Sequence, residues 1–321
     1  MQKSVSDFFR DAERRAKQNT CTLCGETATS FANSNSVPQF VLRRIACDGK
    51  LITYSDIVGE HGDKRNGVNN SWTFHIICSK CENKYFKDYE NEQALLSALS
   101  NLMLAEMALK NDLIMLSKYR RDHETDRAML AAGMLCDKTG VLGEINYYNI
   151  RDISFEIRRS KKIIDKRLKT GFSLIFNRLL DWVAPIAFQC MLRIDTDIFG
   201  NVINDIYDLS CDVRMQFLHL AVFPLKEKTR VVLFRHRDDR NYISFERSFQ
   251  KMEWNDKLEY INYMMFRYTE HTLICPKTDV KILKNKKLVN LCRLNDDFVF
   301  GEGQDASPSE IPNFLSYQLQ L

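Results

Sequence analysis

Leucines recur at helical spacing in the middle third of the chain. They are Leu95, Leu99, Leu102, Leu109, Leu113 and Leu116. Successive members are 4, 3, 7, 4 and 3 residues apart, which predicts one long helix whose apolar stripe skips one position. The skipped position is Glu106, and Lys110 follows one turn later. We expect these two side chains to form an ion pair at the edge of the stripe, and the alternative is a buried functional carboxylate.

A second helical pattern covers residues 145–182, with an interruption expected at Gly171. Its apolar positions are Ile150, Ile153, Ile157, Ile164 and Leu168. The middle third of the chain is therefore predicted to be helical.

Beyond Pro185 the pattern changes to short alternating runs that are rich in β-branched residues. Residues 186–194, 215–223 and 230–234 are predicted strands, and the polar connection at 224–229 suits a hairpin. A helix and a short strand at 272–275 follow. The chain thus divides into four predicted parts: a small loop-rich module (1–90), a helical region (91–183), an α+β domain (184–293) and an acidic tail (294–321). The expected fold class is α+β.

Composition agrees with a globular protein. The 321 residues are 45% hydrophobic and 27% charged, which excludes a disordered or collagen-like chain. The longest uncharged apolar stretch, residues 182–192, is 11 residues long, too short for a helix across a membrane. Charges within the first 15 residues argue against a secretory signal. We therefore expect a cytoplasmic protein with reduced cysteines and no membrane partner.

Charge is distributed unevenly. Residues 294–321 hold five acidic and no basic residues, so the net charge of +4 divides into −5 for this segment and +9 for residues 1–293. We expect the acidic segment to be a mobile tail with a short apolar end.

Four cysteines form two close pairs. Cys21 and Cys24 are followed by Gly25, which lets the backbone curl so that amides face the sulfurs, and Cys78 and Cys81 repeat the spacing. Two such pairs make the tetrahedral four-sulfur site that Zn²⁺ prefers in structural centres. We predict structural zinc. The alternatives are unrelated cysteines and a dithiol redox centre, because this spacing also tunes the pKa of thiols.

The surroundings of the two pairs suggest a treble-clef arrangement. Residues 71–77 alternate like a strand, and residues 82–90 have the pattern of a helix that begins at the second pair. A knuckle, a hairpin and a helix that starts at the second knuckle describe that arrangement, so we predict a treble-clef zinc module.

Three segments resemble the HNH-like, or ββα-metal, zinc proteins of bacteria. They are CTLCG at 21–25, NSVPQFVLRRI at 35–45 and HIICSKCENKYFKDYE at 75–90. Members of this family often carry CxxCG, SHIIPxF and LLCxxCE in this order. The resemblance covers about the first 90 residues. It implies an HNH-like fold, action on nucleic acid, and a role in anti-phage defence or DNA metabolism.

The same resemblance identifies candidate catalytic residues. In the family mechanism, the histidine of SHIIP activates a water against a phosphodiester, and a second metal, Mg²⁺ or Mn²⁺, stabilises the leaving oxygen. Asn35 stands at the position of that histidine, and an amide cannot exchange a proton near neutral pH. His61 is a candidate substitute, and Glu82 is a candidate ligand of the catalytic cation. The plainer interpretations are a solvated loop histidine and a carboxylate that favours a helix dipole.

Clustered cations indicate nucleic acid as a partner. Residues 158–169 carry seven positive charges and one negative charge on a predicted helix, a pattern that suits phosphate oxygens. The candidate contact residues are Arg43, Arg44, Arg158, Arg159, Lys161, Lys162, Lys166 and Arg167. A solvated helix face is the alternative.

Two functional hypotheses follow. The first is an HNH-like zinc protein that acts on nucleic acid, DNA rather than RNA, as a binder or as an unusual or degenerate nuclease. The second is a catalytically inactive, zinc-stabilised scaffold or sensor of a defence complex. A companion defence protein is a partner that the resemblance implies. Whether the chain is an enzyme depends on Asn35.

Overall fold

The computed structural model describes residues 5–59, 67–205, 208, 210, 212–295 and 303–319, with the backbone alone for residues 5–9. The fold class is α+β, with 46% of residues helical and 16% in strands, as the sequence predicts.

Eleven helices are seen within the described residues. They are α1 (Val5–Ala16), α2 (Gln39–Ile45), α3 (Tyr54–Val58), α4 (Ser79–Tyr85), α5 (Glu92–Leu96), α6 (Asn101–Ala131), α7 (Val141–Asp165), α8 (Ile243–Lys251), α9 (Trp254–Arg267), α10 (Val280–Leu283) and α11 (Lys286–Cys292).

The described strands form two antiparallel sheets. They are β1 (Ser34–Asn35), β2 (Ile52–Thr53), β3 (Thr73–Phe74), β4 (Phe172–Leu180), β5 (Ile186–Leu192), β6 (Leu218–Pro224), β7 (Thr229–His236) and β8 (Leu273–Ile274). Strands β1 and β3 form a small sheet, and the others form a six-stranded sheet in the order β2-β8-β5-β6-β7-β4. Strands β5, β6 and β7 are buried along their whole length, so both faces of the sheet centre are covered.

The two longest helices pack against each other and carry the middle of the chain. Helix α6 also contacts β5, β6 and β4. The predicted long helix is confirmed from Asn101 onward, but Leu95 belongs to the separate short helix α5. The side chains of Asn91 and Ser100 accept hydrogen bonds from the first turns of α5 and α6, so each helix has its own start.

The predicted second helix is wrong beyond Asp165. Residues 172–180 form β4, which pairs with β7 and has a register shift between Leu174 and Phe176. Gly171 lies between the helix and the strand, and a Cβ atom there would lie 2.4 Å from Cδ1 of Ile163. The glycine therefore permits a close approach of the chain to α7.

The predicted ion pair between Glu106 and Lys110 is also wrong. Both side chains are buried and have other partners. Oε2 of Glu106 accepts hydrogen bonds from the backbone amides of Asp88 (3.1 Å) and Tyr89 (3.0 Å). Burial raises the pKa of Glu106 to about 8. Glu106 therefore fixes the turn after α4 onto α6.

Residues 303–319 are packed, so the expectation of a mobile tail is wrong for this part of the chain. Phe314 and Leu315 are fully buried. The backbone amide of Phe314 donates to Oδ1 of Asn262 (3.0 Å), and Trp182 Nε1 donates to the carbonyl of Leu315 (3.0 Å). The segment closes one side of the C-terminal part of the fold.

The N-terminal part is joined to the main sheet. Strand β2 pairs with β8, so Ile52 lies opposite Ile274. Buried hydrophobic side chains form one continuous cluster that extends from Cys21 to Leu315. The four-part division of the chain stays a prediction. Within the described ranges, every helix is too short or too polar to span a lipid bilayer.

Candidate zinc centre and basic surface

The four paired cysteines meet at one point. The sulfurs of Cys21, Cys24, Cys78 and Cys81 all lie within 4.8 Å of one another, and the sulfurs of Cys24 and Cys78 are 4.0 Å apart. Cys21 and Cys81 are buried, whereas Cys24 is exposed. The prediction that the two pairs come together is confirmed, and within the described residues this is the one cluster of its kind.

Backbone geometry holds the first knuckle in place. Gly25 has a φ of +74°, which favours glycine, and its amide donates to the carbonyl of Cys21 (2.8 Å). The amide of Thr22 donates to the carbonyl of Ile76 (2.9 Å), so the first knuckle is bonded to the chain that leads into the second. Helix α4 begins directly after Cys78 and carries Cys81.

Hydrogen bonds prepare one sulfur for metal binding. Burial raises the pKa of the Cys21 thiol, but backbone amides, first that of Cys78 at 3.3 Å, outweigh this and lower the pKa to about 7. Since the thiolate is the form that binds metal, the lowered pKa prepares Cys21 to act as a ligand near neutral pH. Burial raises the pKa of the Cys81 thiol, so this group needs the charge of a cation to ionise.

The distances fit a metal ion better than a disulfide. Four sulfurs at about 2.3 Å from a central zinc would be about 3.8 Å apart in a tetrahedron. The observed separation of 4.0 Å for Cys24 and Cys78 is close to this value and about twice an S–S bond. The residues present can therefore hold a metal ion such as zinc, with a closed four-sulfur shell that leaves no position for a reacting water.

Asn35 lies in the small sheet formed by β1 and β3. It pairs with Thr73 of β3, and its Nδ2 donates to the carbonyl of Val68 (2.9 Å). The amide thus fixes the loop that starts at Gly67. An amide in this place has a structural role and supplies no base.

Glu82 is bound on both of its oxygens. Oε2 accepts from Oγ of Ser34 (2.5 Å), and Oε1 lies 3.3 Å from Nζ of the buried Lys110. Lys110 also pairs with Glu90, and its Nζ lies 4.5 Å from the centre of the Phe86 ring. Glu82 therefore anchors α4 to α6. His61 lies outside the described residues.

The predicted phosphate-binding residues have different environments. Arg158, Lys162, Lys166 and Arg167 are exposed at the end of α7, and Arg43 is exposed at the end of α2. These side chains can reach a ligand from solvent.

The other three predicted contact residues are engaged within the protein. Arg159 donates to both oxygens of the buried Asp239, at 2.8 and 2.9 Å. Lys161 pairs with Asp165, and Arg44 lies 3.4 Å from Glu92. Because these three side chains already have partners within the protein, the exposed cations of α7 are better placed to contact phosphates.

Asp165 connects the basic end of α7 to the cysteine centre. Its Oδ1 accepts from Nζ of Lys84 (3.0 Å) and from the hydroxyl of Tyr85 (2.9 Å), both on α4. Lys161 on α7 pairs with the same carboxylate. The neighbouring cations lower the pKa of Asp165 to about 2 despite partial burial, which by itself raises it. The helix that carries Cys81 is thereby fixed to the basic stretch of α7.

Sequence reasoning missed the roles of Lys110, Asp165 and Asp239. Each pairs with a residue at least 20 positions away in the sequence. Helical spacing shows only neighbours within a turn. Their partners follow from the tertiary fold alone.

Comparison of this chain with protein-family models, with curated proteins and with solved structures finds no match.

Proposed function

We propose that this chain is a zinc protein with an HNH-like, treble-clef module and that it binds nucleic acid, DNA rather than RNA, through the exposed end of α7. The observation that carries the proposal is the link through Asp165, which joins α4 of the cysteine centre to the basic stretch. Zinc stabilises the module, and α7 supplies the cations that neutralise phosphates.

The geometry supports binding better than cleavage. Asn35 occupies the position that the resemblance assigns to a general base, and its amide is bound to Val68. Both carboxylate oxygens of Glu82 already have protein partners, Ser34 and Lys110, which compete with binding of Mg²⁺ or Mn²⁺. We therefore propose a degenerate nuclease architecture with a binding function. A role in bacterial defence is part of the proposal that rests on the resemblance alone.

A second candidate function is that of a catalytically inactive scaffold or sensor. The anchoring of Glu82 by Lys110 favours it, because this contact uses a candidate catalytic carboxylate to hold two helices together. A scaffold of this kind would keep the zinc module without needing nucleic acid.

The test measures the affinity of the zinc-loaded chain for fluorescent duplex DNA, single-stranded DNA and RNA over a range of salt concentrations. The test variant carries Arg158→Gln, Lys162→Gln and Lys166→Gln. The control variant carries Lys226→Gln, Lys251→Gln and Lys284→Gln, which removes the same charge from exposed positions elsewhere.

We expect the α7 variant to lose at least tenfold in affinity for duplex DNA and about 2 to 3 in the slope of log K against log salt, since each phosphate contact contributes roughly 0.9. The control variant should bind like the parent. Equal affinities of both variants would refute the interface, and the absence of binding to any of the three nucleic acids would favour the scaffold. Incubation with Mg²⁺ or Mn²⁺ should leave the DNA intact.

A further inference from the structure

A polar cavity of about 170 Å³ lies where the cysteine module, helix α6 and the loop before β8 meet. Its lining residues are Thr53, Ser55, Asn70, Ser71, Trp72, Thr73, Arg121 and Glu270. The volume is below the ~300–1,000 Å³ of sites for drug-sized ligands. The cavity has room for one planar ring, and a sugar or phosphate joined to that ring would extend from its mouth towards solvent.

Trp72 lies in an unusual backbone conformation at this cavity. Its φ is +49°, in the left-handed region that non-glycine residues avoid. Strain of this kind persists only where the surroundings enforce it, and it occurs preferentially at functional sites. The strained residue here is a large aromatic side chain that lines a cavity.

Hydrogen bonds on both sides hold the loop of Trp72 in place. The carbonyl of Trp72 accepts from the amide of Ser36 (2.9 Å), and Oγ of Ser71 donates to the carbonyl of Gly67 (2.9 Å). Asn35 binds the same loop at Val68. The backbone that carries the indole is therefore held by the protein itself.

A buried histidine supports the indole from within the protein. The ring centres of Trp72 and His271 are 3.9 Å apart, and Nδ1 of His271 lies 2.7 Å from Oγ1 of Thr269. Burial and the charges of nearby Lys118 and Arg121 lower the pKa of His271 to about 3. Trp72 thus packs against a neutral imidazole on one side and lines the cavity with its remaining surface.

Arg121 supplies a cation on the α6 side. Its side chain is half-buried and lines the cavity together with the carboxylate of Glu270. Arginine binds phosphate oxygens in a fork geometry. Indole faces stack on planar heterocycles, and the hydroxyl and amide groups of Thr73 and Asn70 can bond a ring edge or a sugar.

We propose that this cavity binds one nucleotide, with its base on Trp72 and its phosphate on Arg121. The nucleotide is either a free monophosphate or a single nucleotide of a nucleic-acid strand. For the second source the inference rests on the proposed function. The cavity would then add a base contact to the phosphate contacts that we propose for α7.

The test measures calorimetric binding of AMP, adenosine and inorganic phosphate to the full zinc-loaded chain. The test variants are Arg121→Gln, Trp72→Leu and Trp72→Phe. The controls are Arg127→Gln, at an exposed arginine of α6, and Trp254→Leu, at an exposed tryptophan. Zinc content and thermal unfolding of each variant check the fold, and Trp72→Phe keeps a ring if the leucine variant is unstable.

We expect AMP to bind one to one and adenosine to bind at least tenfold more weakly. Arg121→Gln should weaken AMP at least tenfold and leave adenosine unchanged, whereas Trp72→Leu should weaken both ligands and Trp72→Phe should weaken them less. Failure of AMP to bind at millimolar concentration would overturn the inference. An equal effect of Arg121→Gln on AMP and adenosine would also overturn it.

A further comparison separates the two sources and the two proposals. Tighter binding of a five-nucleotide strand, d(A)5, than of AMP identifies a strand nucleotide, and equal or weaker binding identifies a free one. The variant with Arg158→Gln, Lys162→Gln and Lys166→Gln should retain AMP. If the unmodified chain binds duplex DNA but not AMP, the proposal for the cavity alone is refuted. If it binds AMP but not duplex DNA, the proposal for the α7 interface alone is refuted.

Discussion

Cys21 and Cys81 illustrate how burial and hydrogen bonding act on single ligands. Both thiols are buried, but backbone amides lower the pKa of Cys21 to about 7, whereas burial raises that of Cys81. A cation shared by the four sulfurs compensates the cost of ionising Cys81. Metal binding and folding of this module should therefore be coupled.

Replacement of one ligand tests this coupling. We expect Cys81→Ser to lose stoichiometric zinc and to lower the free energy of unfolding by several kcal/mol, because a buried serine hydroxyl is a poor zinc ligand. Elemental analysis and urea unfolding measure both effects. Cys136→Ser, at an exposed free cysteine, is the control and should keep its zinc. Full zinc occupancy in the Cys81 variant would show that the centre is not a four-sulfur site.

Glu106 provides a second test at the scale of a residue. Burial raises its pKa from 4.5 to about 8, so between these values the folded chain holds a proton that the unfolded chain has lost. The stability that this group contributes is present below pH 4.5 and is lost as the pH rises through 8. Glu106→Gln keeps the acceptor for the amides of Asp88 and Tyr89 without the charge.

We expect Glu106→Gln to be more stable than the parent by on the order of 1–3 kcal/mol at pH 9, with the difference disappearing near pH 4.5. Urea unfolding at pH 5, 7 and 9 measures this. Glu227→Gln, at an exposed loop position, should show no such trend. A difference that does not grow with pH would contradict the buried, protonated state of Glu106.

At the scale of elements, the sequence predicts what local periodicity and composition determine. The leucine stripe identifies α6, and β-branched runs identify β5 to β7, because each of these elements buries a regular face. The sequence pattern predicts a helix across β4, because the register shift at Leu174 and Phe176 disturbs the alternation of a strand. The leucine pattern does not show the break before α6, because the signal of that break is a helix cap, Ser100, rather than an apolar position.

The cysteine centre was predictable because both pairs carry the spacing of a known chemistry. The environment of Glu82 was not, because Ser34 and Lys110 come from other elements. The Trp72 cavity was equally hidden, since a positive φ at a tryptophan has no sequence signal and Arg121 and Glu270 meet it only in the fold.

The cap of α6 gives a test at this scale. Oγ of Ser100 accepts from the amide of Met103 (3.2 Å) and separates α6 from α5. We expect Ser100→Ala to lower the free energy of unfolding by about 1 kcal/mol and Ser100→Asp to preserve it, since aspartate also accepts the bond and favours the helix dipole. Thermal unfolding of both variants measures this. An alanine variant as stable as the aspartate variant would show that the cap is dispensable.

At the scale of the whole molecule, buried histidines and buried carboxyl groups have opposite effects on how stability depends on pH. Burial lowers the pKa of His219 and His271 to about 3 and that of His236 to about 4. These groups favour the folded state above pH 6.5, and the stability is lost as the pH falls, because the unfolded chain binds the protons. Burial also raises the pKa of Asp112, Glu106 and Glu156, with Glu156 at about 7, which has the opposite slope.

Between about pH 4.5 and 6.5, three histidines and three carboxyl groups oppose each other, so we expect stability to be nearly independent of pH there and to fall on both sides. His219→Gln removes one histidine. Its stability should then rise, relative to the parent, by about 1.4 kcal/mol for each unit by which the pH falls across this range. Urea unfolding of both proteins at saturating zinc measures the effect, and the comparison cancels the contribution of the metal because both proteins share it. Parallel pH profiles for variant and parent would mean that His219 takes up a proton in the fold, where its Nδ1 lies 3.3 Å from Nδ2 of Asn111. Buried groups other than His219 would then have to account for the pH dependence of stability.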